Sequence, residues 1–536
     1  MKKIYGFAAL VAAMTLASCS NEDQPQVVDE AGATVGYIAV SIAGDGTRAD
    51  ANAISGADES KVASATFVFY NGSTYVTHRT LNTADLDASF EDGTGNVVDR
   101  VASTLVTVDK KDMASTPDHM VTILNAPADL VASDEDMETL LGKVQDFQTG
   151  LTGTGGKFVM SNSVYQENST TVDVTNITGK LYETPELAKK YPVQVYVERV
   201  VARADIKNNL SATSYDISSD ESKKTITYMK DDGTIGQVTP KIVVKGVTFA
   251  NRANTSRLVK SIAFTTEPSW TWKDTYRSHW AVSSAKAASD FSNSSYTSIT
   301  DKTSRSVYLQ ENTSDIYTSV LLTAQLQDGN GQPLKLVRLM SGGTYFLEEG
   351  AKALLVQQLV GKYGYVTGSY TEGTEVSSLP ASFFEWKEGA KYTDNKTYDC
   401  VGYLQLITKA GSAAANATIM VKKDGKWANA TDDDKKALNE LLASTENQAL
   451  VWSNGACYYY VDIKNKDEAK GIVRNHVYDL DLKTIAGLGV PVVNPDKEII
   501  PGTIPTPTSS EQWNLGAVIN VVKWALIHQD IDFSNN

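Results

Sequence analysis

Apolar side chains along this chain fall mostly at every second position, in short runs rich in Val, Ile, Thr and Tyr that stop at Gly, Asn, Asp or Ser. Period two with β-branched and aromatic residues predicts strands, and turn residues between the runs predict many of them. In "VGYIAVSIAG", Ile38, Val40 and Ile42 share one face and Tyr37, Ala39 and Ser41 the other, the pattern of a half-buried strand. "VYVERVVARADI" and "PKIVVKGVTFAN" read the same way, the first closing one group of strands and the second opening another. Helical spacing behind a capping-type start occurs at 133–147, "SDEDMETLLGKVQDF", and at 430–444, "ATDDDKKALNELLAS". The chain is therefore expected to be all-β with short helical inserts.

The two ends break the pattern. Beyond Pro491, prolines at 495, 501, 505 and 507 remove ladder donors and favour an extended linker. Behind that linker, residues 515–533 hold a run that is apolar on both faces. Ile519, Val521, Ala525 and Ile527 line one face, and Val518, Val522, Trp524 and Leu526 the other. Such a strand expects burial on both sides. It either docks into its own domain or adds to a sheet edge of another subunit. At the other end, "GDGTRAD" follows the first strand as a loop of glycines and aspartates, and Arg48 is the only basic residue between Lys3 and Lys61. An exposed loop with one long basic side chain suits a trypsin-like protease.

Upstream of Cys19, a positive start at Lys2 and Lys3 precedes an apolar stretch too short to span a bilayer, for which about 20 residues are needed. That is a signal peptide pattern. "LASC" at its end resembles a bacterial lipobox, in which the cysteine is diacylated and becomes the new N-terminus. Multiple acyl chains suffice for stable anchoring. Acidic residues in the "SNED" that follows Cys19 resemble surface-export signals.

Composition changes the picture mainly by exclusion. The chain has 536 residues, with 64 acidic against 49 basic and a formal charge of −15. No segment clusters Lys and Arg as phosphate binding requires, so nucleic acid is not expected as a partner. None of His78, His119, His279, His476 and His528 stands at a metal-ligand spacing from another His or a Cys. Nucleophile elbow, Walker loop and dinucleotide fingerprint are all missing. Neither catalytic residues, metal nor cofactor is expected. Asp432, Asp433 and Asp434 fit a helix start better than a calcium loop. Cys400 and Cys457 both lie in strand-like runs of an exported chain, so a disulfide and two buried free thiols stand as equal readings. Trp270 and Trp272 in "EPSWTWKDTYRSHW" fit core packing or a sugar platform.

Several segments in order resemble the Bacteroidota fimbrillins, in particular the major (shaft) subunits of the short fimbriae, the type V pilus. They are "KFVMSNSVY", "VQVYVERVVARADI", "YRSHWAVS", "VYLQENT" and "GIVRNHVYDLDLKTIAGLGVPV". The resemblance implies two tandem transthyretin-like β-sandwiches and an extended C-terminal donor strand. It implies a signal peptide at 1–18, a lipidated propeptide at 19–48, sandwiches at 49–205 and 206–490, a Pro-rich linker at 491–512 and a donor strand at 513–536. An arginine-specific protease would cut between Arg48 and Ala49 and remove the strand holding Ile38, Val40 and Ile42. A neighbour's Val518, Ile519, Val521, Val522, Trp524, Leu526 and Ile527 would then fill the groove. Partners would be other copies, related fimbrial subunits, the protease and host or bacterial surface ligands. The product would be a fimbrium at the cell surface, from a precursor lipoprotein of the outer membrane. A lipid-anchored adhesin or glycan-binding sandwich that does not polymerise is the alternative.

Overall fold

Alternating β-branched and aromatic residues do produce strands over most of the chain, and the fold is all-β with a few short helices. The computed structural model describes residues 35–44, 62–82, 91–92, 100–109, 113–147, 157–167, 170–210, 214–230, 232–261, 275–277, 291–292, 305–312, 317–392, 394–463, 471–497 and 514–522, together with 212, 499 and 501.

The strands that matter here are, in chain order, β1 (Val35–Gly44), β2 (Ser64–Asn71), β3 (Thr74–Asn82), β4 (Arg100–Asp109), β5 (His119–Leu124), β6 (Met160–Asn162), β7 (Val193–Arg199) and β8 (Val201–Asn208). They continue with β9 (Lys241–Ala250), β10 (Arg305–Gln310), β11 (Ser319–Gln327), β12 (Thr397–Leu406), β13 (Ala456–Asp462), β14 (Val477–Ala486), β15 (Val490–Pro491) and β16 (Asn514–Val522). A nine-stranded sheet runs β3-β2-β5-β6-β7-β1-β4 along its main path and ends on the short strand Glu91–Asp92. A four-stranded sheet runs β10-β8-β14-β16, and β9, β11, β13 and β15 pair in that order within another.

Two main hydrophobic cores result. The first gathers Ile38, Val40, Phe67, Phe69, Val106, Val108, Ile123, Val195 and Val197, and also takes Leu258, Val259, Tyr308 and Val477 from far along the chain. The second is built around Phe249, Leu322, Trp452, Tyr459, Tyr478 and Leu480. The handover falls inside β8, where Val201 packs in the first core and Ala202 in the second. A third, smaller cluster sits under helices, with Leu355, Leu404, Leu438 and Leu442 buried together.

The helices are α1 (Met137–Gly142), α2 (Pro185–Lys190), α3 (Glu348–Gln357), α4 (Ala413–Asn416) and α5 (Asp432–Leu442). α5 fills most of the 430–444 stretch because Thr431 and Asp434 form a capping box at its start. α1 is shorter than the helical spacing at 133–147 suggests. Asp136 caps it, but Val144–Gln145 leaves the helix to pair with Ser256–Arg257. Tertiary pairing there outweighs helical propensity.

Candidate functional site

The N-terminal strand is not an edge. β1 pairs antiparallel with β4 from Val35↔Asp109 to Gly44↔Arg100, and parallel with β7 from Val40↔Val193 to Gly44↔Val197. Ile38 and Val40 are fully buried, packed with the β4 valines and Val193, Val195 and Val197 of β7. Each such side chain contributes about 1.5–3 kcal/mol by burial. The backbone of Ile42 continues the ladder opposite Ala102 and Val195.

The half-buried reading of β1 needs correction, because its second face is covered as well. Ala39 is buried against Tyr182 and Ala188, with Tyr37, Leu105 and Tyr191 half-buried around them. Ala188 belongs to α2, which Thr184 caps and Pro185 opens. Tyr37 and Tyr182 exchange backbone hydrogen bonds of 2.6 and 2.7 Å. At Gly36 a Cβ would come within 2.7 Å of the Leu181 side chain, so this position of β1 favours a residue without one. β1 thus fills a slot between β4 and β7, with the first core on one face and Tyr182 and Ala188 on the other. Alternation in β1 showed the core face, but nothing local announced α2 over the other.

Near the other end, β16 lies antiparallel along β14 as the outer strand of its sheet. Val522 stands opposite Val477, Val521 opposite Tyr478, Ile519 opposite Leu480 and Val518 opposite Asp481, with a bulge between Leu482 and Thr484. Trp524, Leu526 and Ile527 lie outside the described residues, as do Cys19, Arg48, Ala49, Trp270 and Trp272.

Between slot and outer strand sits a buried ionic joint that motif reading did not find. The turn Val473–His476 enters β14 with Asn475 in the left-handed region at φ 58°. Arg474 is fully buried and donates to Glu311 Oε2 from Nε at 3.1 Å and from Nη2 at 2.7 Å. Its Nη1 donates to the Leu258 carbonyl at 2.9 Å and its Nη2 to that of Arg257 at 2.5 Å. Lys260 pairs with Glu198 at 3.2 Å, and Arg199 donates to Asn475 Oδ1 at 3.1 Å. Burial raises the Glu198 carboxyl despite the cations of Lys260 and Arg474 nearby. Burial also pushes His476 down to about 4, against the hydrogen bond its Nδ1 makes with the Arg474 carbonyl. The legible signal was charge inside apolar runs, Glu198 and Arg199 in "VYVERVV" and Arg474 in "GIVRNHV". Buried charge needs partners, and these are they.

Cys400 and Cys457 are free thiols. Cys457 is buried in the second core with Tyr459, and the half-buried Cys400 packs against both that core and the patch containing Tyr458. Among the described residues, no three or more His, Cys, Asp or Glu side chains gather as metal ligands, and no helix is long and apolar enough to cross a membrane.

Residues 451–530, which include β13, the Arg474 turn, β14 and β16, match the family model "Major fimbrial subunit protein type IV, Fimbrillin, C-terminal". Over this segment the chain is similar to the fimbrillin family. That family is one of structural fimbrial subunits of the cell surface rather than a class of enzymes. No curated protein sequence matches this chain. Among solved structures it is similar to a fimbrilin from Porphyromonas gingivalis at 12% identity, covering 90% of this chain and 96% of that one with a TM-score of 0.36. A protein assigned to cell adhesion from Parabacteroides distasonis is 14% identical, with 91% and 96% covered and a TM-score of 0.37. The tip fimbrial protein Mfa3 from Porphyromonas gingivalis is 10% identical, with 84% and 95% covered and a TM-score of 0.28.

Proposed function

We propose that this protein is a fimbrillin and a shaft subunit of a fimbrium. It is exported as a lipoprotein on Cys19, cut between Arg48 and Ala49, and polymerised when the terminal strand of one copy enters the slot that β1 leaves in the next. The observation that carries the reading is the position of β1. It is an interior strand with Ile38 and Val40 in the first core, and Arg48 stands a few residues past its end.

While the chain is intact, β1 is held at high effective concentration and no other strand competes with it. A cut at Arg48 turns that intramolecular contact into one between two fragments. Departure of β1 opens ladder groups on β4 and β7 and apolar surface, whose cover restores about 25 cal/mol per Å². The lipid anchor leaves with residues 19–48. The terminal run, apolar on both faces, suits a slot roofed by α2 on one side and floored by the core on the other. Residues 49–205 and 206–490 then serve as two tandem sandwiches, with 491–512 as the tether of the moving strand. Partners are further copies, related fimbrial subunits and an arginine-specific protease.

Limited cleavage of chain 20–536 by such a protease tests this, followed by intact mass and an unheated denaturing gel. A new N-terminus at Ala49 with a multimer ladder that disappears on deleting 513–536 supports strand exchange. A clean cut at Arg48 that leaves monomer sinks it. The non-polymerising, lipid-anchored adhesin then takes its place.

A further inference from the structure

The acceptor slot and the exit of the donor strand are joined by one continuous stretch of backbone and one ladder. β7 forms a wall of the slot and runs through Val200 directly into β8. β8 pairs in parallel with β14, from Arg203↔Val477 to Asn208↔Leu482. β14 leads through β15 to the linker that carries the terminal strand. A pull entering at the slot therefore draws β8 toward its N-terminus. A pull leaving through the linker draws β14 toward its C-terminus. Parallel neighbours drawn in opposite directions are loaded in shear, with every ladder bond resisting at once, whereas strands peeled from one end yield bond by bond.

The buried ionic joint lies at the N-terminal end of this ladder and opposes the same slide. Arg474 sits just ahead of β14 and is tied to Glu311 at the end of β10, which pairs with the other side of β8. It is also tied to the carbonyls of Arg257 and Leu258. Asn475 donates its N–H to the Val201 carbonyl at 2.8 Å and accepts from Arg199. Arg203 donates its N–H to the His476 carbonyl at 2.8 Å. Buried ion pairs seldom add equilibrium stability over apolar substitutes. Their short, directional contacts are nevertheless lost within a small displacement, and that resists sliding.

We propose that the β8–β14 ladder and the Arg474–Glu311 joint form a shear clamp that carries tension through the subunit from acceptor slot to donor strand. The proposal rests on the strand-exchange reading for where load enters and leaves, but its test does not require a polymer. Force spectroscopy on single chains 20–536 would use azide-bearing residues as handles. One pair stands at the exposed positions Gln194 in β7 and Asp496 beyond β15, giving shear. The other stands at exposed Asn209 and Thr484, both near the C-terminal ends of the paired strands, giving peeling.

The expected result is a several-fold higher unfolding force in shear than in peeling. Glu311→Gln should lower the shear force and leave the peeling force unchanged. A merely structural role would lower both alike, because forced unfolding follows the unfolding barrier of the whole core. Should Glu311→Gln not fold, Lys260→Met with Glu198→Gln, which removes both charges of the adjoining pair, takes its place. Equal forces in the two geometries, or equal losses in both on substitution, overturn the clamp. Failure of the cleavage ladder with the force asymmetry intact would sink strand exchange alone.

Discussion

Arg474 shows how a single residue is held where charge is costly. It is enclosed by one carboxylate and two backbone carbonyls, so removing its guanidinium takes a close counter-charge from the buried Glu311. Arg474→Ala should therefore cost about 3–5 kcal/mol, read as a lower urea midpoint at unchanged slope. Arg474→Met with Glu311→Leu should recover most of that loss. His476 makes a pH prediction of definite sign. Its folded pKa of about 4 lies below the ordinary 6.5, so the unfolded chain takes up the proton first as pH falls. The stability from its neutral form is complete above about 6.5 and is lost on descending toward 4. Glu198, raised by burial, works in the opposite sense. Urea midpoints at pH 7 and 5 should fall further in the natural chain than in His476→Gln, which isolates the histidine. An equal fall would show that His476 does not titrate as described. The thiols behave as their burial dictates. Cys400 is pushed up to about 12 and Cys457 upward as well, by desolvation. Intact mass should show no maleimide addition to either in the folded chain 20–536 at pH 7, and two additions in denaturant.

At the scale of elements, β1 was readable and its surroundings were not. Period two placed Ile38 and Val40 on the core face because burial there is a local pattern. The cover over Ala39 comes from α2, whose six residues carry no apolar stripe of their own. The capping box at Thr431 was legible for the same local reason, and the end of α1 was not, since Val144 is taken by a strand from residue 256 onward. Likewise "GIVRNHVY" stood out as a family segment, yet its chemistry needed Glu311, Arg257 and Leu258 brought from elsewhere. The slot gives an element-scale prediction. A peptide of residues 35–44, added while the chain is being cut at Arg48, should shorten the multimer ladder by refilling the slot. The same peptide with Ala39→Trp should not, because Tyr182 and Ala188 leave no room for an indole. Equal inhibition by both peptides would mean that binding occurs away from this slot.

For the whole molecule, polarity is the decisive property. In the proposed strand exchange, a slot at one place and a strand tethered at another make a heterologous contact, which extends into an open filament when rotation does not close it. Each end of that contact can be disabled separately. A chain 20–536 with Arg48→Gln keeps β1 seated and can only donate. A chain cut at Arg48 and ending at residue 512 can only accept. Neither alone should form multimers, and an equimolar mixture should give one-to-one dimers and nothing larger, measured by mass photometry and on an unheated gel. The dimer should form slowly, because the donor must first leave β14, along which β16 pairs from Asn514 to Val522. Deleting the linker prolines as a block should slow it further or abolish it, since an extended tether sets how far the strand reaches. Higher multimers from the mixture would show a second contact between subunits. Absence of dimer with both chains folded would mean that the terminal strand stays on its own β14, and the filament would need another joint.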